Sequence, residues 1–413
     1  MSFGRVAALF LLGLACACGG ARGGAPSPRS DGGVRDAGAS PDGGPIDAPA
    51  GSWTWVPVEG SRCGAGAQAG LGLNRADGGE ELLLFLQGGG ACWNAGTCVP
   101  SPYQFGPLCD YGQLCLLDAS GGQQPTATFV REPDPYPADG GGAWPSQLAT
   151  VEDSLLFDRT LPDNPFRAAT FVFVPYCTGD LHAGDAEQVY PWKQGTFSET
   201  SRFTMHFWGA RNMEAYLQRL QVTFPSVRRV WLMGASAGGY GAQLNLERVR
   251  RAFPSAEVHV LADSAPLIRS VHFEQWKQAW SLQLPSGCEG CDAGLPGVAG
   301  HLLESYPDSR QALLSYDEDK VIAWYFLAGP GLEEFLNPPV VSFQQELSAL
   351  QATYDISTSG GTFRLPGNEH VMFGGYGVRR PDGGTTAPFP SRDGGMDLRA
   401  WVHAWATGDG GWR

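Results

Sequence analysis

The sequence predicts an α/β fold with a doubly wound, mostly parallel sheet, and three observations lead to this fold class. Continuous apolar runs at residues 81–87, 169–174, 227–233 and 258–262 are typical of strands that are buried on both faces of a parallel sheet. Helical patterns alternate with these runs as far as residue 266. The chain of 413 residues is long enough for one large α/β domain.

The charge balance argues against some classes of partner. Asp and Glu number 42 and Lys and Arg number 28, which gives a formal net charge of −14. Such an acidic chain is a poor ligand for nucleic acid or for an anionic membrane surface, because both carry negative charge. The 58 glycines and 31 prolines predict many loops and tight turns around the sheet.

The first residues predict export. Arg5 precedes an apolar run at residues 6–16 that is too short to span a membrane as a mature helix, so we interpret residues 1–18 as a signal peptide. The small residues around Cys16 and Cys18 suit either cleavage by signal peptidase or acylation of one of these cysteines, as in a bacterial lipoprotein. Neither cysteine has the usual leucine three residues before it, and both outcomes stay open.

A tether is predicted after the signal peptide. Residues 19–51 consist mostly of Gly, Ala, Pro, Ser and Asp, which cannot bury a core, and we expect them to be disordered. Such a tether suits a lipoprotein that stands away from a membrane. Residues 52–413 then form a single folded domain.

The cysteine count predicts disulfides. The chain has ten cysteines, and eight remain once Cys16 and Cys18 are set aside, an even number that indicates disulfides in an exported protein. Cys288 and Cys291 form a C-x-x-C that could instead bind zinc. No second C-x-x-C and no paired histidines accompany it, which favours disulfides.

The first buried strand ends in a glycine run. Residues 81–87 are followed by three glycines, and a backbone without side chains lets amides approach a ligand at this point. An ordinary tight turn between a strand and a helix is the alternative.

Residues 99–164 are poor in periodicity and rich in Pro, Gly and Asp, and they predict a long insertion that could cover an active site.

The strand at 227–233 leads into a serine-centred turn, after an amphipathic helix predicted at 203–224. Gly234, Ser236 and Gly238 fit G-x-S-x-G, the nucleophile elbow of α/β-hydrolases, in which small neighbours allow a strained turn between strand and helix. The following amide then lies at a helix N-terminus, where it can meet an oxyanion. A glycine-rich turn with a capping serine is the alternative, but the flanking strand and helix favour the elbow.

A serine nucleophile needs a histidine base, and the sequence offers several. The histidines that follow Ser236 and Asp263 are His272, His301, His370 and His403. A strand predicted at 362–365 ends shortly before His370, which is where a catalytic histidine belongs. His403 lies in an amphipathic stretch and is more typical of a helix face.

The base needs an acid that fixes its tautomer. A strand predicted at 311–316 ends at Asp317, which is our first choice, and Asp319 is the second. Asp263 also ends a strand, but it lies next to the elbow, where a turn or a capping role is more typical.

Together these motifs resemble the pectin acetylesterase family, which includes the Notum carboxylesterases. The matching segments follow the family's order at residues 84–94, 173–180, 234–239 with Asn245, 261–264, 316–318 and 369–370. The resemblance implies an α/β-hydrolase-like esterase domain and metal-free ester hydrolysis without a cofactor. It also implies disulfides between Cys63 and Cys177 and between Cys92 and Cys98.

The resemblance further implies the site residues. Ser236 is the nucleophile, Asp317 the acid and His370 the base. The backbone amides of the oxyanion hole come from Gly89, Gly90 and Ala237. Gly90 stands where family members often carry an aromatic residue, which bears on the shape of the acyl pocket.

The resemblance points to an O-acetyl ester on a polysaccharide as the substrate, with a longer acyl ester on a lipid or a protein as the alternative. A second interpretation is a catalytically silent hydrolase-fold lipoprotein that binds a glycan or a partner at the cell surface. The presence of a serine, an acid and a histidine in the family's order favours the enzyme.

Overall fold

The structure is a computed structural model that describes residues 44–98, 156–193, 200–328, 337–373 and 395–413, and the backbone of short strands at 35–36, 115–117 and 123–125. Its strands are β1 (Arg35–Asp36), β2 (Trp53–Arg62), β3 (Gln68–Asn74), β4 (Glu81–Leu86), β5 (Cys115–Leu117), β6 (Gln123–Pro125), β7 (Thr170–Val174), β8 (Ala186–Lys193), β9 (Thr200–Phe207), β10 (Arg229–Ala235), β11 (Glu257–Asp263), β12 (Gln311–Tyr316) and β13 (Gly360–Leu365). Its helices are α1 (Ala95–Cys98), α2 (Gly209–Thr223), α3 (Ala237–Leu244), α4 (Leu246–Ala252), α5 (Phe273–Trp280), α6 (Leu295–Ser305), α7 (Lys320–Leu327), α8 (Val340–Asp355) and α9 (Leu398–Thr407), with short 3₁₀ helices at Cys291–Ala293 and Gly410–Trp412.

Within these residues, a nine-stranded sheet has the order β1-β2-β3-β7-β4-β10-β11-β12-β13. The strands from β7 to β13 in that order are parallel, whereas β3 pairs antiparallel with both β2 and β7. Every residue of β7 and β12 is buried, as is typical of strands that are covered on both faces of a parallel sheet. The predicted α/β-hydrolase-like, mostly parallel sheet is confirmed.

The direction in which strands are added changes between β4 and β10. From β4 the chain adds β7 on one side, and later adds β10, β11, β12 and β13 in succession on the other side. Open parallel sheets bind ligands at the carboxyl ends of the strands, next to such a reversal. We call this end of the sheet the carboxyl edge and the opposite end the amino edge.

The structure corrects the helix predicted at 203–224. β9 occupies the first part of this range, and α2 begins only at Gly209. Met205 and Phe207 are buried and alternate with less buried neighbours, which is the period of a strand and not of a helix. The helix begins at Gly209 because the buried Asp180 carboxylate accepts the Gly209 amide hydrogen at 2.8 Å.

The folded chain also begins earlier than predicted. Ile46 and Ala48 are buried in the core, and the Ile46 amide donates to Thr223 Oγ1 at 3.0 Å. The C-terminal end of the tether predicted at 19–51 thus includes residues that pack against the core. The predicted signal peptide with Cys16 and Cys18, and most of the insertion predicted at 99–164, lie outside the described residues.

Three disulfides are present in the part of the chain that the structure describes. Cys63–Cys177 and Cys92–Cys98 are the pairs that the family resemblance implies, and both are confirmed. Cys288 and Cys291 bond to each other, so their thiolates are not free to bind zinc. Across the same residues, no group of three His, Cys, Asp or Glu side chains could hold a metal ion, and no helix has the length and apolar character needed to cross a membrane.

Candidate active site

The turn between β10 and α3 holds Ser236 in a strained conformation. Its φ is 53° and its ψ is −127°, a region that residues with side chains rarely adopt. The Ser236 amide donates to the main-chain oxygen of Asp263 at 2.8 Å, which fixes the turn against the end of β11. Because α3 begins at Ala237, the amide of that residue has no acceptor within the helix. This is the geometry that the G-x-S-x-G motif predicts.

The loop after β4 lies against this turn, with no room for side chains between them. A Cβ on Gly88 would lie 2.8 Å from the Cβ of Ser236, and a Cβ on Gly238 would lie 1.9 Å from Leu86 O. Only glycine fits at either position, since real Cβ atoms do not approach other atoms so closely. The loop therefore runs beside the elbow and leads on to the two predicted oxyanion-hole residues, Gly89 and Gly90.

A buried histidine that sequence reasoning missed contacts the start of this loop. His182 Nε2 lies 2.8 Å from Gln87 O, and because a carbonyl only accepts, the imidazole carries its proton on Nε2. Burial lowers the pKa of His182 to about 4, so the ring is neutral at pH 7. The main-chain oxygen of His182 accepts from Asn245 Nδ2 at 2.9 Å. The sequence feature that could have identified His182 is its place in the polar loop that follows β7.

His370 lies beyond the end of β13 and contacts a buried carboxylate. Its Nδ1 lies 2.8 Å from Asp319 Oδ2, and the Asp319 side chain has no exposed surface. Asp319 Oδ1 accepts the amides of Val321 and Ile322, each at 3.0 Å, as the N-cap of α7. One carboxylate thus caps a helix with one oxygen and orients an imidazole with the other, which leaves His370 Nε2 for a further partner.

Asp317, the acid predicted from the sequence, is paired with Arg364 in the structure and not with His370. Asp317 Oδ1 lies 2.7 Å from Nε and 2.7 Å from Nη2 of Arg364 in β13. Arg364 also donates to Gln351 of α8 at 2.6 Å, so this ion pair is directed toward α8. The second choice, Asp319, is the residue beside His370. The signal that could have selected it is the helical apolar pattern directly after it, which marks Asp319 as an N-cap.

Two carboxylates act on the charge of His370. Burial by itself lowers the pKa of the imidazole, but Asp319 and Asp263 outweigh this effect, and the pKa lies above its ordinary value of 6.5. Burial raises the pKa of Asp263 to about 6, although Asp263 accepts the amides of Phe373 and Met372. An imidazole supported in this way is suited to accept a proton near neutral pH.

The other candidate histidines lie elsewhere. His272 is buried before α5, with Nε2 at 2.9 Å from Ala328 O. His301 belongs to α6, and His403 is exposed on α9, the helix-face position that its sequence context indicates. The carboxyl edge therefore holds Ser236, His370 and two of the acids weighed from the sequence, Asp319 and Asp263. His182 lies there as well, and it is the residue that the sequence analysis did not select.

Comparison with known proteins provides evidence on the relatives of the chain. Residues 149–282 match the family model described as Pectinacetylesterase. The chain resembles the pectinacetylesterases. The palmitoleoyl-protein carboxylesterase NOTUM of Homo sapiens is 28% identical over 209 residues and that of Mus musculus 27% identical over 209 residues, which covers 49% of this chain and 33% of each relative. The palmitoleoyl-protein carboxylesterase notum2 of Xenopus laevis is 24% identical over 220 residues, covering 52% of this chain and 36% of the relative.

The pectinacetylesterase resemblance that the motifs predict is confirmed by this comparison. The matched segments span about a third of the length of the curated relatives. The pectinacetylesterase match at 149–282 contains Ser236 and Asp263 and ends before Asp319 and His370. It therefore bears on the sheet and the elbow and does not extend to the contact between Asp319 and His370.

Proposed function

We propose that this chain is an exported serine carboxylesterase with a catalytic triad of Ser236, His370 and Asp319. The observation that carries the proposal is the 2.8 Å contact between His370 Nδ1 and the buried Asp319 carboxylate, at the sheet edge where Ser236 has a φ of 53°. A histidine oriented by a carboxylate can take the proton of a serine hydroxyl through Nε2. The similarity to pectinacetylesterases and carboxylesterases supports an ester as the target bond.

The first half of the proposed reaction forms an acyl-enzyme. Ser236 Oγ attacks the ester carbonyl carbon while His370 Nε2 takes the hydroxyl proton, and the Asp319 carboxylate stabilises the resulting imidazolium. When the tetrahedral intermediate collapses, the bond from carbon to the alcohol oxygen breaks, and His370 gives its proton to that oxygen. In the second half, water attacks the acyl group with the same proton transfers, which releases the acid and restores Ser236.

The proposed oxyanion hole consists of backbone amides from Gly89, Gly90 and Ala237. The support for Ala237 is its place as the first residue of α3, and the support for the two glycines is the close approach of their loop to the elbow. Removing one such donor typically raises the barrier by about 3 kcal/mol. In this proposal the contact of His182 with Gln87 O holds the loop in place.

For the substrate, we propose an O-acetyl ester on a polysaccharide, which the description of the matching family supports. The carboxylesterase relatives favour a second candidate, because their name describes the removal of palmitoleoyl groups from protein. In that case the substrate is a longer acyl chain on a protein or a lipid. The two candidates differ in acyl length, which a series of esters can measure.

For the location, we propose export, either as a freely secreted protein or with a lipid anchor on Cys16 or Cys18. The disulfides Cys63–Cys177, Cys92–Cys98 and Cys288–Cys291 support an oxidising compartment, since such bonds persist outside the cytoplasm. The anchor can be tested by labelling with a radioactive fatty acid, in wild type and in two variants of which one lacks Cys16 and the other lacks Cys18.

The test of the proposed activity uses 4-nitrophenyl esters from acetate to palmitate with wild type, Ser236→Ala and Ser309→Ala. Ser309 is a buried serine at the amino edge whose hydroxyl donates to Val258 O at 2.6 Å, and it serves as the matched control. We expect wild type and Ser309→Ala to hydrolyse short esters at equal rates, and Ser236→Ala to lose about 10⁵-fold. A rate that peaks at long chains would favour the second substrate.

Equal rates for folded wild type and Ser236→Ala would contradict the esterase proposal. The interpretation as a silent surface protein that binds a glycan or a partner would then take its place. A fluorophosphonate probe tests the same proposal without the choice of an ester. Labelling of wild type but not of Ser236→Ala would support the esterase.

A further inference from the structure

Two side chains at the end of β11 bind the segment that follows the proposed base. The Val371 amide donates to Ser264 Oγ at 2.9 Å, and the amides of Met372 and Phe373 both donate to Asp263 Oδ2 at 2.8 Å. Three consecutive amides are therefore bound by two adjacent residues. We call these two residues the Asp263–Ser264 clamp.

The clamp and the segment that it binds both have unusual backbone. Val371 has a φ of 69°, which is rare for a β-branched residue, and Ser264 has a φ of 51°. Such conformations persist where surrounding contacts fix them. The hydrogen bond between Val371 and Ser264 joins the two strained residues, and it fixes the direction of the chain directly after His370.

The clamp also contacts the nucleophile elbow. The main-chain oxygen of Asp263 accepts the Ser236 amide at 2.8 Å, and the Asp263 side chain is fully buried. One residue therefore contacts Ser236 through its main chain and the segment after His370 through its carboxylate. Asp319 has a different partner, because its carboxylate binds the imidazole ring itself.

We propose that the Asp263–Ser264 clamp positions His370 relative to Ser236. The inference rests on the proposed esterase function, because it assigns two positioning residues to that reaction. The clamp acts by fixing the backbone from which the imidazole extends, and it touches neither the substrate nor the reacting atoms. A displacement of about 1 Å in a catalytic group can lower a rate by roughly 10²-fold, so the loss of these hydrogen bonds should be measurable.

Three variants separate positioning from general stability. Asp263→Ala removes the acceptor of two amides, and Ser264→Ala removes the acceptor of one. Asp263→Asn keeps an oxygen that can accept both amides, because both end on the single atom Oδ2 in the wild type. Ser309→Ala is again the matched control, since it removes a buried hydroxyl at the amino edge.

Each variant is made in the full chain, alone and combined with His370→Ala. Hydrolysis of 4-nitrophenyl acetate gives kcat and KM, and circular dichroism gives the folded fraction to which kcat is normalised. We expect Asp263→Ala to lower kcat by roughly 10-fold to 10²-fold with KM within about threefold of wild type. Ser264→Ala should lower kcat by about fivefold, and Asp263→Asn should recover most of the rate lost in Asp263→Ala.

The decisive readout is the combination with His370→Ala. If the clamp acts through the base, then Asp263→Ala and Ser264→Ala cause no further loss once the base is absent. Equal losses with and without His370 would overturn the inference, as would an Asp263→Asn variant no faster than Asp263→Ala. If Asp263→Ala does not fold, wild-type kcat in Ser264→Ala overturns it instead.

Failure of the clamp and failure of the esterase give different results. If hydrolysis depends on Ser236 but the clamp variants lose the same rate with and without His370, only the clamp inference is overturned. Hydrolysis that does not depend on Ser236 overturns both.

Discussion

The two edges of the sheet hold their charged side chains in different environments. At the amino edge, Arg229 lies 2.9 Å from Glu81 and 2.8 Å from Glu257, whose side chains are 30% and 60% exposed. At the carboxyl edge, Asp263 and Asp319 are fully buried and accept hydrogens from backbone amides and from an imidazole. These two glutamates are thus partly solvated, whereas these two aspartates are bound by fixed donors.

This difference indicates which edge of the sheet depends on the exact position of its hydrogen-bonding groups. Exposed ion pairs contribute little because water solvates both charges, whereas a buried carboxylate needs donors in fixed positions. The segment that supplies the donors of Asp263 has strained backbone at Val371. Among the described residues, six non-glycine residues have positive φ, and five of them follow strands at the carboxyl edge: Leu181, His182, Ser236, Ser264 and Val371. Substitutions there should change the reaction, and substitutions near the amino edge should change stability alone.

Among the tests of this comparison between the two edges, the largest expected effect separates two aspartates that are two residues apart. Asp319→Asn removes the charge that orients His370 and stabilises its protonated form, and we expect kcat/KM to fall by about 10⁴-fold. Asp317→Asn removes only the partner of Arg364, on a side chain that is 31% exposed, and should leave kcat/KM within about threefold of wild type. Steady-state hydrolysis of 4-nitrophenyl acetate measures both variants.

The opposite order of these two losses would return the acid to Asp317, the residue predicted from the sequence. Thermal unfolding of both variants provides the control. A loss of rate counts only in a variant whose unfolding transition remains cooperative above the assay temperature.

A smaller effect is expected in the pH at which the carboxyl edge loses activity. Burial lowers the pKa of His370, but Asp319 and Asp263 raise it by more, to a value above 6.5. Since a general base must be neutral, kcat/KM of the wild type should fall on acidification with a midpoint above pH 6.5. Asp319→Asn removes the larger raising effect and should move this midpoint to lower pH. Profiles of kcat/KM against pH measure it, and a midpoint that stays in place would assign the titration to another group.

The smallest expected effect lies toward the amino edge and concerns stability alone. His259 in β11 is buried, its Nδ1 accepts the Arg310 amide at 3.0 Å, and burial lowers its pKa to about 3. The unfolded histidine has a pKa of about 6.5. Between pH 7 and pH 5 only the unfolded chain therefore gains this proton, which lowers the free energy of unfolding by on the order of 2 kcal/mol.

His259→Asn should remove this part of the pH dependence and leave kcat unchanged. Urea unfolding of wild type and variant at pH 7 and pH 5 provides the measurement. If both proteins lose the same free energy of unfolding on acidification, then His259 is not the group responsible.

The sheet and the elbow could be predicted from the sequence because their requirements are local. Buried parallel strands need continuous apolar runs, and the elbow needs small residues within five positions. A Cβ on Gly234 would lie 2.2 Å from Gly238 O, so a contact within the motif itself explains why Gly234 must be a glycine. His370 could be selected because it follows directly on a recognisable strand.

The acid could not be selected in the same way, because the choice depends on distant residues. Asp317 and Asp319 both follow β12, and the side chain that binds Asp317 is Arg364, 47 residues away. The helix predicted at 203–224 has the same origin of error, since its start at Gly209 is set by Asp180, 29 residues earlier. Neither long-range contact can be read from a single sequence, and the local signals that remain are the N-cap pattern after Asp319 and the alternation of Met205 and Phe207.

The Cys63–Cys177 disulfide also determines how the molecule responds to a protease. The two cysteines are 114 residues apart, and residues 99–155 lie between them. A single cut in that range creates two polypeptides, and the disulfide keeps them joined by a covalent bond. The cut molecule runs as one species on a denaturing gel until a reductant separates it into two. The chain can thus become a two-chain protein without releasing either piece.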